Sequence, residues 1–235
     1  MTRFQGPNER ETPLRINRRD FVVSTGALIA AAALFGSARR AFADPTMEEL
    51  MRPGPLPDMA LGKADAPVTV VEYASMTCPH CANFEKTTFP ELKTKYIDTG
   101  KVRFIFREFP LDELAVAVSM LVRCAATDSA TKTVNGEKAM ALIQVFFASQ
   151  DKWAMRNPIP ALQQITKQAG VTDKTFDECL KDQKLYNDIL AMRERGSKDY
   201  KVESTPTIFV NGKMQRGEAS IEELSKVIDP LLPKS

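Results

Sequence analysis

The sequence predicts an α/β fold interrupted by an all-helical insertion, and three observations predict it. Residues 68–75 and 102–109 are short runs rich in β-branched and aromatic residues, the composition of buried strands. From residue 111 to about residue 200 the apolar residues fall at helical spacing, and strand composition returns only at residues 205–210. Cys78-Pro79-His80-Cys81 stands where the first strand gives way to a helix.

Each element has its own reason. Residues 1–43 read as an export signal. An apolar run from Phe21 to Phe35 is too short for the ~20 residues of a membrane span. It follows Arg18-Arg19-Asp20-Phe21 and precedes Ala41-Phe42-Ala43, a small-x-small cleavage pattern. The paired arginines resemble the twin-arginine type of signal, with a general secretory signal and an uncleaved anchor as alternatives. Residues 44–67, with Pro45, Pro53, Pro55, Pro57 and Pro67, read as an extended lead-in holding one short edge strand at most. A helix starts at Cys78, kinks at Pro90 and stops near Gly100. In the insertion, Leu114, Val118, Leu121, Val122 and Ala125 share one helical face. Met140, Leu142, Ile143, Val145, Phe146 and Phe147 mark a second helix ending near Trp153. Pro158 and Pro160 break the chain before a helix over 161–169, and a single helix is predicted over 174–192. Asn211-Gly212 signals a hairpin, and Ser220 with Glu223 forms a capping box opening a last helix that runs to Leu231.

Charge narrows the partners. The chain has 32 basic and 30 acidic residues; seven and three of them lie in residues 1–43, leaving 25 and 27 and a net charge of −2. The basic character belongs to the targeting segment. No cluster of lysine and arginine with interleaved aromatics remains, which argues against nucleic acid. The 192 residues after the signal suffice for one well-buried domain or one with an insertion.

Cys-x-x-Cys at a strand-to-helix junction puts the first sulfur at a helix N-terminus, where unpaired N–H groups and the dipole favour a thiolate. That is the chemistry of thiol–disulfide exchange. The pattern is also half of a zinc site, or an inert disulfide. Zinc would need two more ligands. His80 is the single histidine of the chain, and Cys124 and Cys179 stand apart from each other and from the motif. A lone histidine inside the motif leaves no separate base for Cys-His hydrolysis. No metal or cofactor is expected.

This order of elements, with Glu72-Tyr73 ahead of Cys-Pro-His-Cys, residues 106–111 opening the insertion and Thr205-Pro206 beginning a late strand, resembles the DsbA family of periplasmic thiol:disulfide oxidoreductases. The resemblance covers essentially all of the chain after residue 43. It implies a thioredoxin-like fold from residues 68–110 and 201–235, with residues 111–200 as the inserted all-helical domain. It also implies a cis bond before Pro206. In that scheme Cys78 is attacked by a substrate thiolate and Cys81 resolves the mixed disulfide. His80 stabilises the Cys78 thiolate, and Pro79 fixes the first turn. Thr205 pairs with a substrate strand. Glu72 is implied to be a buried carboxylate that moves the Cys81 proton; an exposed strand glutamate is the alternative.

The even cysteine count in an oxidising compartment favours a structural disulfide between Cys124 and Cys179, against two separate buried thiols. The function implied is donation of the Cys78–Cys81 disulfide to reduced, unfolded exported proteins. A membrane quinone-linked reoxidase of DsbB type would restore it, and the protein is expected to act as a monomer in the periplasm. Thr205 is the residue type seen in disulfide isomerases, so an isomerase or reductase is the alternative within the enzyme class. A non-catalytic binding protein or chaperone on the same fold is the alternative outside it.

Overall fold

The computed structural model describes residues 44–128 and 130–233. The predicted export signal, residues 1–43, lies outside the described residues. Five strands form one sheet: β1 (Met59–Leu61), β2 (Val68–Ala74), β3 (Val102–Glu108), β4 (Thr207–Val210) and β5 (Lys213–Arg216). Their order is β1-β3-β2-β4-β5. β2 runs parallel to β3, with Val70 opposite Phe104, and antiparallel to β4, with Val71 opposite Phe209. β1 and β5 close the two edges antiparallel to β3 and β4.

Side chains alternate across a sheet, so residue parity decides which core each one enters. Val68, Val70, Ala74, Phe104, Phe106, Ile208 and Val210 enter a large core shared with Cys81, Phe84, Leu121, Phe146 and Leu224. Val71, Tyr73, Ile105 and Phe209 enter a smaller core on the other face, with Leu50, Tyr200 and Val202. Both faces of the sheet are therefore covered, which explains why β2 and β3 read as nearly continuous apolar runs. Position 72 has the even parity. Its side chain lies on the face that packs against the cysteine motif.

The first crossover is built from α2 (Pro79–Thr87), α3 (Phe89–Leu92) and a π-helical turn over Lys93–Ile97, following a short α1 (Met47–Met51) in the lead-in. α2 ends before Pro90, not at it. The Pro90 ring would collide with the carbonyl of Lys86 and has no N–H to offer, so the helix breaks one turn early. The helices α4 (Glu113–Ala126), α5 (Gly136–Ala148), α6 (Gln150–Trp153), α7 (Ile159–Gln168), α8 (Asp173–Lys181) and α9 (Gln183–Tyr200) lie between β3 and β4, and α10 (Ile221–Ile228) follows β5. Gly136 opens α5 against β1, where a Cβ would sit 1.9 Å from the Ala60 carbonyl oxygen.

Several elements differ from expectation. The single helix over 174–192 is two, α8 and α9. Asp182 leaves helical geometry (ψ 91°) and caps α9 by accepting from Leu185 N at 2.9 Å. A short acidic side chain binds free N–H groups at a helix start better than it packs mid-helix. The lead-in contains α1, whose Thr46 and Glu49 form a capping box that sequence reading passed over. The last helix ends at Ile228 and becomes a 3-10 turn over Asp229–Leu231, since Pro230 brings no donor. Val145, grouped with the apolar face of α5, is 44% exposed.

Two buried arginines tie the lead-in down. Arg107, on the odd-numbered face of β3, donates to Asp58 (2.8 Å), the Leu50 carbonyl (2.8 Å) and Tyr73 Oη (3.0 Å). Arg123 of α4 pairs with Glu108 (2.8 Å) and donates to the Pro57 carbonyl (2.6 Å). Breaking either pair would strand a charge in the interior, which costs roughly 3–5 kcal/mol. No helix among the described residues is long and apolar enough to cross a membrane.

Candidate active site

β2 delivers the chain to Ser75, and a tight turn carries it into α2. Cys78 N donates to the Ser75 carbonyl (3.1 Å), and the Cys78 carbonyl accepts from Ala82 N (3.2 Å). Cys78 is thus the N-cap of α2, extended at φ −78° and ψ 120°, with Pro79 in the first turn, where a missing N–H costs nothing. The turn is pinned from the start of the insertion. Ser75 Oγ accepts from Leu111 N (3.2 Å), and Thr77 Oγ1 donates to Asp112 (2.8 Å).

Both cysteines of the motif are free thiols. Cys78 is 4% exposed and Cys81 wholly buried. Their acidities are pushed in opposite directions. The Cys81 thiol donates to the Cys78 sulfur, and this is the main reason that Cys78 falls to about 5, against the cost of its burial. Thr205 and the backbone N–H groups of Cys81 and His80 pull the same way. Burial, the same hydrogen bond, and the charges of Glu72 and Cys78 drive Cys81 far above the ordinary thiol range. The surroundings favour the thiolate at one sulfur and the thiol at its partner.

The Thr205–Pro206 peptide bond is cis. As a thiol, Cys78 donates to the Thr205 carbonyl oxygen at 3.3 Å. The buried Thr205 hydroxyl has no other partner, so a Cys78 thiolate gives it an acceptor. The loop after β5 is hung on the same segment, with Gly217 N donating to the Pro206 carbonyl (2.9 Å).

His80 has its ring held by a carboxylate from the far end of the chain. Its side chain is 71% exposed, and Nδ1 bonds Glu218, whose second carboxylate oxygen accepts from Asn83 Nδ2. The group of His80 that hydrogen-bonds the Cys78 sulfur is the backbone N–H; the imidazole is raised in basicity first by Glu218 and only last by the charge on Cys78. Glu72 is fully buried, so the exposed alternative does not hold. Neither of its carboxyl oxygens has a hydrogen-bond partner. Glu85 on α2 is buried as well, and Gln144 is the side chain that acts on it. Burial raises both above the carboxylate range; the charges of Glu85 and Cys78 push Glu72 up further, while Gln144 pulls Glu85 back to about 8.

Sequence reasoning missed four of these groups. Glu85 had a usable signal, since it lies four residues after Cys81 and therefore on the same helical face. Asn83 had the same kind of signal, three residues after His80 on the same helix, whereas Glu218 and Gln150 had none, because they reach the motif only through tertiary structure. Gln150 Nε2, at the start of α6, donates to the carbonyls of Met76 (2.8 Å) and Cys78 (3.1 Å). Cys124 and Cys179 lie away from the motif and are joined in a disulfide, with Cα atoms 6.0 Å apart, linking α4 to α8. Among the described residues no group of three or more His, Cys, Asp or Glu could hold a metal ion.

Residues 56–230 match the thioredoxin family. A protein of Rickettsia bellii named "Putative protein-disulfide oxidoreductase" is 37% identical over 179 residues, which cover 76% of this chain and 66% of that protein. A Rickettsia conorii relative of the same description is 38% identical, covering 74% and 60%. The chain thus spans less than two thirds of the length of these relatives. Among solved structures, Wolbachia pipientis alpha-DsbA1 aligns with a TM-score of 0.70 and 31% identity, covering 79% of this chain and 96% of that one. With the sheet order, the cysteine motif at a helix N-terminus and the cis-proline beside it, the chain belongs to the thioredoxin family and has the DsbA-like form of that fold.

Proposed function

We propose that this protein is a thiol:disulfide oxidoreductase of the DsbA type that donates the Cys78–Cys81 disulfide to newly exported proteins in the periplasm. The observation that carries this reading is the split between the two sulfurs, with Cys78 lowered to about 5 and Cys81 raised beside it. A substrate thiolate attacks Cys78 Sγ in the oxidised protein. The Cys78–Cys81 bond breaks, and Cys81 leaves with the electron pair and takes up a proton. Glu72, which burial keeps protonated, is placed on the motif-facing side of β2 to supply it. A second substrate thiolate then attacks the substrate sulfur in the mixed disulfide, forming the substrate disulfide and releasing Cys78 as a thiolate. Two electrons have passed to the protein, and a membrane quinone-linked protein of DsbB type removes them.

The acidity of Cys78 sets the direction. Each unit by which it lies below ambient pH stabilises the reduced form by about 1.4 kcal/mol, or ~30 mV in a two-electron couple. At pH 7 that is ~60 mV toward giving the disulfide away. The periplasmic setting rests on the export signal in the sequence, and the activity on the names and likeness of relatives that are longer than this chain.

The test is the redox equilibrium of the protein against glutathione, read by mass after thiol alkylation. The expected potential is well above the glutathione range; a value near ~−270 mV, that of thioredoxin, would move the protein to reductive work.

A further inference from the structure

The carboxylate of Glu218 bridges two residues of the active-site helix. Oε1 meets Nδ1 of His80 and Oε2 meets Nδ2 of Asn83, three residues further along α2. Glu218 also sits directly after Gly217, whose N–H donates to the carbonyl of Pro206. One side chain therefore connects the loop that carries the cis-proline contact to the outer face of the helix that carries Cys78. Glu218 is about one-third exposed and His80 largely so, and both remain open to solvent and to an incoming thiol.

We propose that Glu218 is a positioning residue for disulfide exchange, which commits Nδ1 of His80 to its own carboxylate and fixes where the imidazolium charge stands beside Cys78. The chemistry follows from the atoms. An ionised carboxylate accepts only, so Nδ1 must carry a hydrogen in either protonation state of the ring. The titrating proton is then the one on Nε2, the nitrogen left free to face solvent and substrate. The bond to Glu218 and its negative charge both favour the protonated ring. Among the described residues the charged groups acting on the imidazole are Glu218 and Cys78; none of the acting groups is a cation. A protonated ring next to Cys78 favours the thiolate that leaves at the end of each turnover. Asn83 secures the second carboxylate oxygen, so the carboxylate cannot rotate away.

The inference rests on the proposed exchange activity only for its last step, and the first measurement needs no activity. His80 is the one histidine of the chain, so its ring signals in an NMR titration of the tag-free protein are unambiguous. In Glu218→Gln the His80 midpoint is expected to fall toward the ordinary histidine range, with the thermal unfolding midpoint nearly unchanged. An unmoved His80 midpoint overturns the proposal whatever the activity does. The second measurement is the redox potential against glutathione across pH. Glu218→Gln should lower the potential most where the wild-type ring is protonated and the variant ring is not, and should change nothing at acid pH, where both rings are charged. In a His80→Gln background Glu218→Gln should have no further effect on the potential. An equal effect there would show that Glu218 acts through the loop alone and would also overturn the proposal. If the wild-type potential is thioredoxin-like, the exchange reading fails while the titration result still stands or falls by itself.

Discussion

The chain carries two cysteine pairs, and the surroundings of each decide its chemistry. Cys78 and Cys81 stand one turn apart on a single helix. Hydrogen-bond donors face the outer sulfur, and the unpartnered, buried carboxyl group of Glu72 acts on the inner one. Cys124 and Cys179 are 55 residues apart, on two helices that they join across the insertion. The first pair stabilises a reduced form, because one sulfur is held as a thiolate. The second restrains the unfolded chain, because it closes a long loop. Identical residues thus act through opposite states, the folded reduced protein in one case and the denatured ensemble in the other.

The largest expected contrast is in exchange. Cys78→Ser should reduce the oxidative refolding of a reduced disulfide protein to the uncatalysed rate, and Cys81→Ser should accumulate a mixed disulfide on Cys78. The double variant Cys124→Ala, Cys179→Ala should retain refolding activity within a factor of about two, provided it is assayed below its unfolding transition, since distant sites act nearly independently. Equal losses in both pairs would erase the distinction.

Stability should show the reverse. Opening the loop between Cys124 and Cys179 should lower unfolding free energy by roughly 4 kcal/mol on the loop-entropy estimate, less if the unfolded chain keeps structure. Denaturant unfolding of the double variant measures it. The redox potential of Cys78–Cys81 should not move. A potential that shifts along with stability would mean that the insertion couples the two pairs.

The third contrast is in pH. Cys78 is depressed on folding from an ordinary ~8.5 to about 5. An acid depressed in this way adds stability that is full above the unfolded value and is lost as pH falls through the folded one. The reduced protein should therefore be more stable than the oxidised protein at pH 7–8, with that advantage shrinking toward pH 5 and absent below it. Glu72 and Glu85 act oppositely. Their folded values are raised, so the folded state holds protons that the unfolded state releases, and stability declines as pH rises above the ordinary carboxyl range. Both redox forms contain them, so their contribution largely cancels in the difference. Glu72→Gln with Glu85→Gln should flatten the decline in the oxidised protein while leaving the reduced-minus-oxidised advantage in place.

How far the sequence revealed these arrangements follows the range of the interactions. The motif, the strands that flank it and the capping box at Ser220 are local, and composition and spacing display them. The parity of Glu72 was equally local: it shares a face with Val70 and Ala74, and counting in twos from those residues would have buried it. Asp182 was visible too, as a capping residue inside an apolar pattern that masked it. Glu218 and Gln150 had no such trace. They sit 138 and 72 residues from the groups that they bind, and only the closed fold gives them partners. Orientation of the His80 ring was illegible for the same reason, since a carboxylate beyond residue 200 decides it.

Gln150 offers the smallest and sharpest test of how the insertion serves the motif. Its amide donates to two carbonyls that bracket the Cys78 turn, at 2.8 and 3.1 Å. Each such bond contributes about 0.5–1.5 kcal/mol net, but its electrostatic effect is directed. A carbonyl oxygen without a donor presents more negative charge to the neighbouring thiolate. Gln150→Leu should therefore raise the Cys78 midpoint modestly, read from thiolate ultraviolet absorbance against pH, and should lower the potential in step. Gln150→Glu, which replaces the donor with an acceptor once ionised, should move both further in the same direction. If Gln150→Leu lowers stability and leaves the Cys78 midpoint where it was, the insertion is a scaffold for the turn and no more. If the midpoint moves, the insertion helps to set the acidity on which the reactive pair depends.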